Sequence, residues 1–184
     1  LNDHFKGMYK REIAKKYKVH QRRVTRAFNL LGIKDHPRVG HLLPNKFKIT
    51  PDLSRFLGYF VSEGHANKNV IGIANTNNNI LEDCYKIVKQ EFGIEGDIRY
   101  KDQCVLFFSK QIEFLLKNVF CCGTYARNKR VPRQLVFANK DLITNFLRGY
   151  FSGDGGIRVR DKGREINAGS TSKLLIQDLV LMLG

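Results

Sequence analysis

No tryptophan occurs anywhere in this 184-residue chain, prolines number only 4 and methionines 2, and acidic residues are scarce, 17 against 32 lysines and arginines. The scarcity of acid leaves a net charge of +15, which excludes an acidic solvating protein and points to a polyanionic partner. Long apolar runs are also missing, so no segment is predicted to span a membrane, and no secretory leader pattern opens the sequence. The cysteines, Cys84, Cys104, Cys121 and Cys122, lack CxxC spacing and have no histidine cluster beside them. A zinc site is therefore not expected, and reduced, buried or incidental thiols are. Apolar content is an ordinary 42%, enough for a packed core.

What is present is unevenly spread. Residues 1–50 hold 13 Lys/Arg against 3 Asp/Glu, so the first segment reads as a basic module of its own. Helical spacing runs from Tyr9 to Tyr17, with Ile13, Ala14 and Tyr17 on one side. A turn at Val19 precedes a second helix, His20 to Leu31, with Val24, Ala27, Phe28 and Leu31 inward. The pattern Glu12-Ile13-Ala14-x-x-Tyr17-x-Val19-x-x-x-x-Val24 resembles a helix-turn-helix of the bacterial and archaeal type. That resemblance implies a second helix in the major groove, with Gln21, Arg22, Arg23, Thr25 and Arg26 toward DNA. A basic helical hairpin with solvated lysines is the alternative. The prolines and glycine of residues 37–51 mark a linker after the module of residues 1–36.

The remainder carries one pattern twice. Phe56-Leu57-Gly58-Tyr59-Phe60-Val61-Ser62-Glu63-Gly64 and Leu147-Arg148-Gly149-Tyr150-Phe151-Ser152-Gly153-Asp154-Gly155 align without gaps, their acids 91 positions apart. Gly58 and Ser62, like Gly149 and Gly153, lie four residues apart and share a helix face, where small residues admit a close helix neighbour. Apolar residues on the other faces predict helices buried nearly all round. Glu63 and Asp154 then fall in the last turns, with Gly64 and Gly155 expected in the left-handed conformation that ends a helix. Two carboxylates at the negative ends of two helices repel one another unless a cation lies between them, and Mg²⁺ or Mn²⁺ prefers such oxygen ligands.

The doubled motif resembles that of the LAGLIDADG homing endonucleases, over roughly residues 51–184. The resemblance implies an α+β fold of αββαββα repeats, with the motif helices at a pseudo-two-fold axis and each repeat giving a DNA-binding β-saddle. It also implies that Glu63 and Asp154, with the adjoining Gly64 and Gly155, hold the metal. Glu63 departs from the usual aspartate but keeps the charge. Asn128-Lys129-Arg130-Val131-Pro132 resembles the Lys-x-Ile-Pro stretch of the intein-type branch. By that likeness Lys129 stabilises phosphate charge or orients the attacking water; a solvated lysine in a basic run is the alternative.

The first repeat is assigned to residues 52–145. Within it strands are expected at Val70–Ala74, Asp97–Tyr100 and Cys104–Phe108, and helices at Ile80–Phe92, closed by Gly93, and Glu113–Phe120. The stretch Leu142–Phe151 leads into the second motif, and the second repeat, residues 146–184, continues into a hairpin (Ile157–Arg160, Glu165–Ala168) and a helix (Ser172–Leu183). Only 30 residues follow Asp154, so this repeat is read as incomplete. Alternation places Arg99 and Lys101, and Arg158 and Arg160, on one face toward DNA. The chain begins Leu1-Asn2 and lacks a terminal His-Asn, so no protein-splicing chemistry of its own is expected, although an intein or intron origin is.

The function expected is a site-specific, divalent-metal-dependent double-strand DNA endonuclease with a long recognition site. It would act in the cytoplasm, as a pseudo-symmetric monomer once the second repeat is complete. The alternatives are a LAGLIDADG-fold regulator or RNA maturase without cleavage, and a generic basic nucleic-acid-binding protein whose repeats are core helices. Two retained acids favour the nuclease, since binding alone needs neither.

Overall fold

A computed structural model describes residues 10–32, 48–160 and 163–184, without the side chains of Ile157 and Arg160. The chain divides into two compact units, within residues 1–40 and 41–184. In the first, α1 (Lys10–Lys16) and α2 (Gln21–Leu30) pack through Ala14, Val24 and Phe28, with Ile13 and Val19 against them. His20 caps α2 by accepting Arg22 N–H on Nδ1 at 3.2 Å. Tyr17 (59% exposed) and Leu31 (59%) are not inward as expected, and neither is Ala27. Among the described residues, two helices of 7 and 10 residues bury a core of Ala14, Val24 and Phe28, which is too small to take in the flanking apolar positions as well. Tyr9 and most of the expected linker lie outside the described residues.

The second unit opens on α3 (Pro51–Glu63), whose start is written in its sequence: Thr50 Oγ1 accepts Leu53 N–H at 3.0 Å, Pro51 stands in the first turn and Asp52 meets the positive helix end. Pro51 thus belongs to the helix rather than to a linker. The chain passes directly into β1 (Gly64–Asn67) and β2 (Val70–Ala74), then α4 (Asn78–Phe92), β3 (Gly96–Arg99), β4 (Cys104–Phe108) and α5 (Lys110–Phe114). This is the expected αββαββα order. Strand β1, for which no separate strand was expected, pairs with β2 from Gly64 opposite Ile73 to Asn67 opposite Val70. The antiparallel sheet has the order β1-β2-β4-β3. Its inner residues, Ala66, Ile71, Ile73, Val105 and Phe107, pack into the core with α3 and α4. Gly93 closes α4 at φ 65° as predicted.

The predicted Glu113–Phe120 helix is instead α5 followed by a π turn, Leu115–Val119, in which Phe120 N–H reaches back to Leu115 O at 2.8 Å. After α6 (Arg133–Val136), α7 (Lys140–Asp154) is capped by Asn139 Oδ1 on Leu142 N–H at 3.0 Å. It leads into β5 (Gly155–Arg160), β6 (Gly163–Ala168) and α8 (Lys173–Leu183). Among the described residues the second sheet has two strands. That explains a difference between the motif helices: α3 buries eight residues, whereas α7 buries Phe146, Gly149 and Tyr150.

Candidate active site

The site is built on the contact between α3 and α7. A methyl group on Gly58 would overlap Phe146 O and come within 2.7 Å of Tyr150 N, while one on Gly149 would overlap Arg55 O. Each helix therefore rests backbone on backbone against the other, as the small-residue spacing predicted. Ser54, fully buried, adds a cross-helix bond by donating Oγ–H to Leu142 O at 2.7 Å. Nothing in the motif pattern singles Ser54 out. Ser62 Oγ turns onto its own helix, 3.2 Å from Gly58 O and 3.1 Å from Tyr59 O. A Cβ at Gly153 would stand 2.8 Å from Glu63 Cγ, so that glycine leaves Glu63 room to lie against α7.

Glu63 and Asp154 are the final residues of their helices, as expected. Gly64 and Gly155 are not left-handed: their φ/ψ are −89°/155° and −89°/149°, and each chain enters its strand directly. Glycine is needed for space instead. A Cβ at Gly64 would collide with the Phe60 ring and lie 2.6 Å from Phe60 O, and one at Gly155 would meet Phe151 O. Partial burial pushes the Glu63 carboxyl up from its ordinary range. Burial and then the field of Glu63 push Asp154 up to about 6, with Lys129 opposing. The fold brings the two acids, distant in sequence, close together: Glu63 Cγ packs against Gly153, the residue before Asp154.

Lys129 is 4% exposed, so it is not a solvated member of a basic run. Its Nζ donates to Phe60 O at 2.6 Å and Gly64 O at 2.7 Å, and lies 4.0 Å from the centre of the Phe60 ring. The ammonium caps the negative end of α3 beside the acids. Burial pulls it down to about 8, against the field of Asp154. Two cavities flank the acids. One of 460 Å³ is lined by Glu63 with Asn75, Asn77, Asp102 and Gln103; another of 320 Å³ is lined by Asp154 with Lys129, Ser62, Ser170 and Thr171. The polar turns facing the two acids are built alike. Asn75 Oδ1 accepts Asn77 N–H at 2.8 Å, and Ser170 Oγ accepts Ser172 N–H at 3.1 Å. The buried Tyr150 hydroxyl, among the described residues, has no hydrogen-bond partner.

A family profile described as a LAGLIDADG-like domain matches residues 50–142 and 141–184, one match on each motif helix and the strands after it. The chain belongs to the LAGLIDADG homing-endonuclease family. Among similar proteins, a DNA polymerase of Thermococcus aggregans is 34% identical over 145 residues, 74% of this chain and 8% of the polymerase. An uncharacterized protein of Methanocaldococcus jannaschii, MJ1054, is 29% identical over 156 residues, 77% of this chain and 17% of that protein. The glutamine–fructose-6-phosphate aminotransferase of the same organism is 28% identical over 139 residues, 73% of this chain and 12% of the enzyme. The chain thus spans between 8% and 17% of the length of these relatives.

Of the other residues named from sequence, Arg99 is exposed but bound to Asp97 at 2.8 Å, and Lys101 is exposed in the β3–β4 turn. Arg158 is exposed and pairs in register with Glu165. Arg160 pairs with Gly163; its side chain lies outside the described residues. On α2, Gln21, Arg22, Arg23 and Arg26 are exposed, and Thr25 Oγ1 donates to Gln21 O at 3.1 Å. All four cysteines are free. No helix among the described residues is long and apolar enough to cross a membrane.

Proposed function

We propose that this LAGLIDADG protein is a site-specific, divalent-metal-dependent endonuclease that cuts both strands of a long duplex DNA site. The observation that carries the reading is the convergence of Glu63 and Asp154, each the last residue of its helix, on the backbone contact of α3 and α7, with Glu63 packed against Gly153. Among the described residues no cluster of three or more His, Cys, Asp and Glu forms. Two carboxylates with room around them suit Mg²⁺ or Mn²⁺, which keep waters and accept phosphate oxygens, and do not suit zinc. Glu63 and Asp154 would hold the ion, with the Gly64 and Gly155 backbones beside them. When bound, such an ion supplies Lewis acidity and an activated water for phosphodiester hydrolysis. Lys129 holds positive charge beside the acids, and one acid from each repeat suits the two strands of a duplex. The hairpin arginines, and Gln21, Arg22, Arg23, Thr25 and Arg26 on a helix-turn-helix reading of the first unit, would supply phosphate and base contacts.

An intein or intron origin fits the relatives. The same segment resembles small parts of a DNA polymerase and of an aminotransferase, whose named chemistries have nothing in common. A mobile insert explains that spread better than a shared host function does.

The deciding experiment incubates the protein with a library of long duplexes, with Mg²⁺ and with EDTA, and sequences the ends. Metal-dependent breaks at one recurrent site are expected; tight binding without breaks would favour a regulator or maturase. Protons should compete with the metal at Asp154, so Mn²⁺ affinity by titration calorimetry should fall as pH drops through about 6. Equal affinity at pH 5 and pH 7.5 would remove Asp154 from the ligands. Replacing Arg22 and Arg26 by Ala should flatten the salt dependence of DNA binding by ~2 in log–log slope; an unchanged slope would take α2 out of the interface.

A further inference from the structure

The irregular segment that carries Lys129 is held by α8. The Lys129 carbonyl accepts Ser172 Oγ–H at 2.7 Å. Arg130 donates Nε to Asp178 Oδ2 at 2.7 Å and Nη2 to Oδ1 at 2.8 Å. The Val131 N–H donates to the same Asp178 Oδ2 at 3.2 Å. Ser172 is 1% and Asp178 5% exposed. Ser172 also caps α8 through Leu175 N–H at 3.3 Å.

Asp178 is a costly choice where it stands. Helix α8 reads Lys-Leu-Leu-Ile-Gln-Asp-Leu-Val-Leu-Met-Leu, and a carboxylate in the interior of so apolar a helix must be desolvated. What it obtains is a grip on Arg130 and Val131, while Ser172 grips the residue before them. The backbone is thus fixed at the carbonyl and at the two following residues of a lysine whose flexible four-carbon stem reaches to the end of α3. A fixed root limits where that stem can place the ammonium, which sits on Phe60 O and Gly64 O.

We propose that Asp178, together with Ser172, is a positioning residue of the active site, locking the Lys129–Val131 segment so that the Lys129 ammonium stays beside the motif acids. This rests on the nuclease reading of Glu63 and Asp154. The test compares wild type, Asp178→Asn, Ser172→Ala, Lys129→Met and the Lys129→Met/Asp178→Asn double variant. Two readouts are used: single-turnover cleavage at saturating DNA, and the rate at which an amine-acylating reagent modifies Lys129, followed by peptide mass spectrometry.

Asp178→Asn is expected to slow cleavage about tenfold while DNA affinity stays within about twofold, because phosphate contacts elsewhere are untouched. It should also acylate Lys129 about tenfold faster than wild type, the protecting contacts being loosened. The double variant should be no slower than Lys129→Met alone, since a residue that acts through the lysine has nothing further to lose. Full additivity, or wild-type cleavage and protection in Asp178→Asn, would overturn the proposal and leave the nuclease reading standing. If the wild type itself does not cut, the nuclease reading fails and acylation decides: faster modification in Asp178→Asn supports the lock, and an unchanged rate refutes it. Should Asp178→Asn fail to fold, Ser172→Ala is read by the same criteria.

Discussion

Asp154→Asn is expected to abolish cleavage, by about a thousandfold or more, and also to raise the melting temperature of the metal-free protein at neutral pH. The first effect follows if the charge holds the ion, because losing several kcal/mol of transition-state stabilisation costs a factor of ten for each ~1.4 kcal/mol. DNA affinity should change little, since it is spread over many phosphates. The second effect is a matter of sign. The Asp154 carboxyl titrates ordinarily near 3.8 and here about 6, so the folded protein binds this proton more tightly than the unfolded chain does. The penalty for ionising it is absent below about pH 4, grows as pH rises to about 6, and persists at neutral pH. Asparagine keeps the shape without the repulsion from Glu63. Melting in EDTA at pH 4 and pH 7.5 should therefore separate variant from wild type only at the higher pH. A variant that still cuts, or that melts lower than wild type at pH 7.5, would contradict the arrangement of acids described here.

Gly149→Ala, like Gly58→Ala, should be strongly destabilising for a single added methyl. In both cases the added carbon lands on the backbone of the facing helix, Arg55 O for Gly149 and Phe146 O for Gly58, and backbone in a helix cannot turn aside as a side chain can. Overpacking of this kind costs about 1–3 kcal/mol or more, and at this chain length each kcal/mol is worth roughly 2–4 °C. A fall of about 6–12 °C is expected at the upper end of that range. Gly169→Ala is the control, since a Cβ there has no neighbour within 4 Å. Equal melting temperatures for Gly149→Ala and Gly169→Ala would mean that α3 and α7 do not meet backbone to backbone. The damage should extend to cleavage, because the same contact sets the spacing of Glu63 and Asp154.

The helices and the pairing of the motif copies were legible because each depends on residues close in sequence or on a repeated pattern. Gly93 ends α4 in the conformation only glycine takes easily, and the four-residue spacing of Gly58 with Ser62 and of Gly149 with Gly153 marks the contact face; the start of α3 was less legible, because a proline suits a linker and a first helical turn equally well. The acids, placed by the motif, came out at the ends of the helices where the pattern put them. Gly64 and Gly155 were legible as required glycines but for the wrong reason. Left-handed conformation and tight packing leave the same letter in the sequence, and only coordinates distinguish a φ of −89° with no room for a Cβ from a positive φ.

Lys129 shows the boundary most clearly. Its sequence context, a run of basic residues, is that of a solvated surface, yet it is buried and spends two donors on α3. Those carbonyls lie 69 and 65 residues away along the chain, and the groups that fix its backbone lie 43 to 48 residues away in the other direction. By itself the sequence determined the end of α4 at Gly93, the contact face and the two acids, because these follow from local propensity and from a pattern repeated within the chain. The burial of Lys129, the grip of Ser172 and Asp178 on its backbone segment, and the raised Asp154 carboxyl were decided only by the tertiary structure. Desolvation and charge–charge coupling depend on distances through space between residues far apart along the chain.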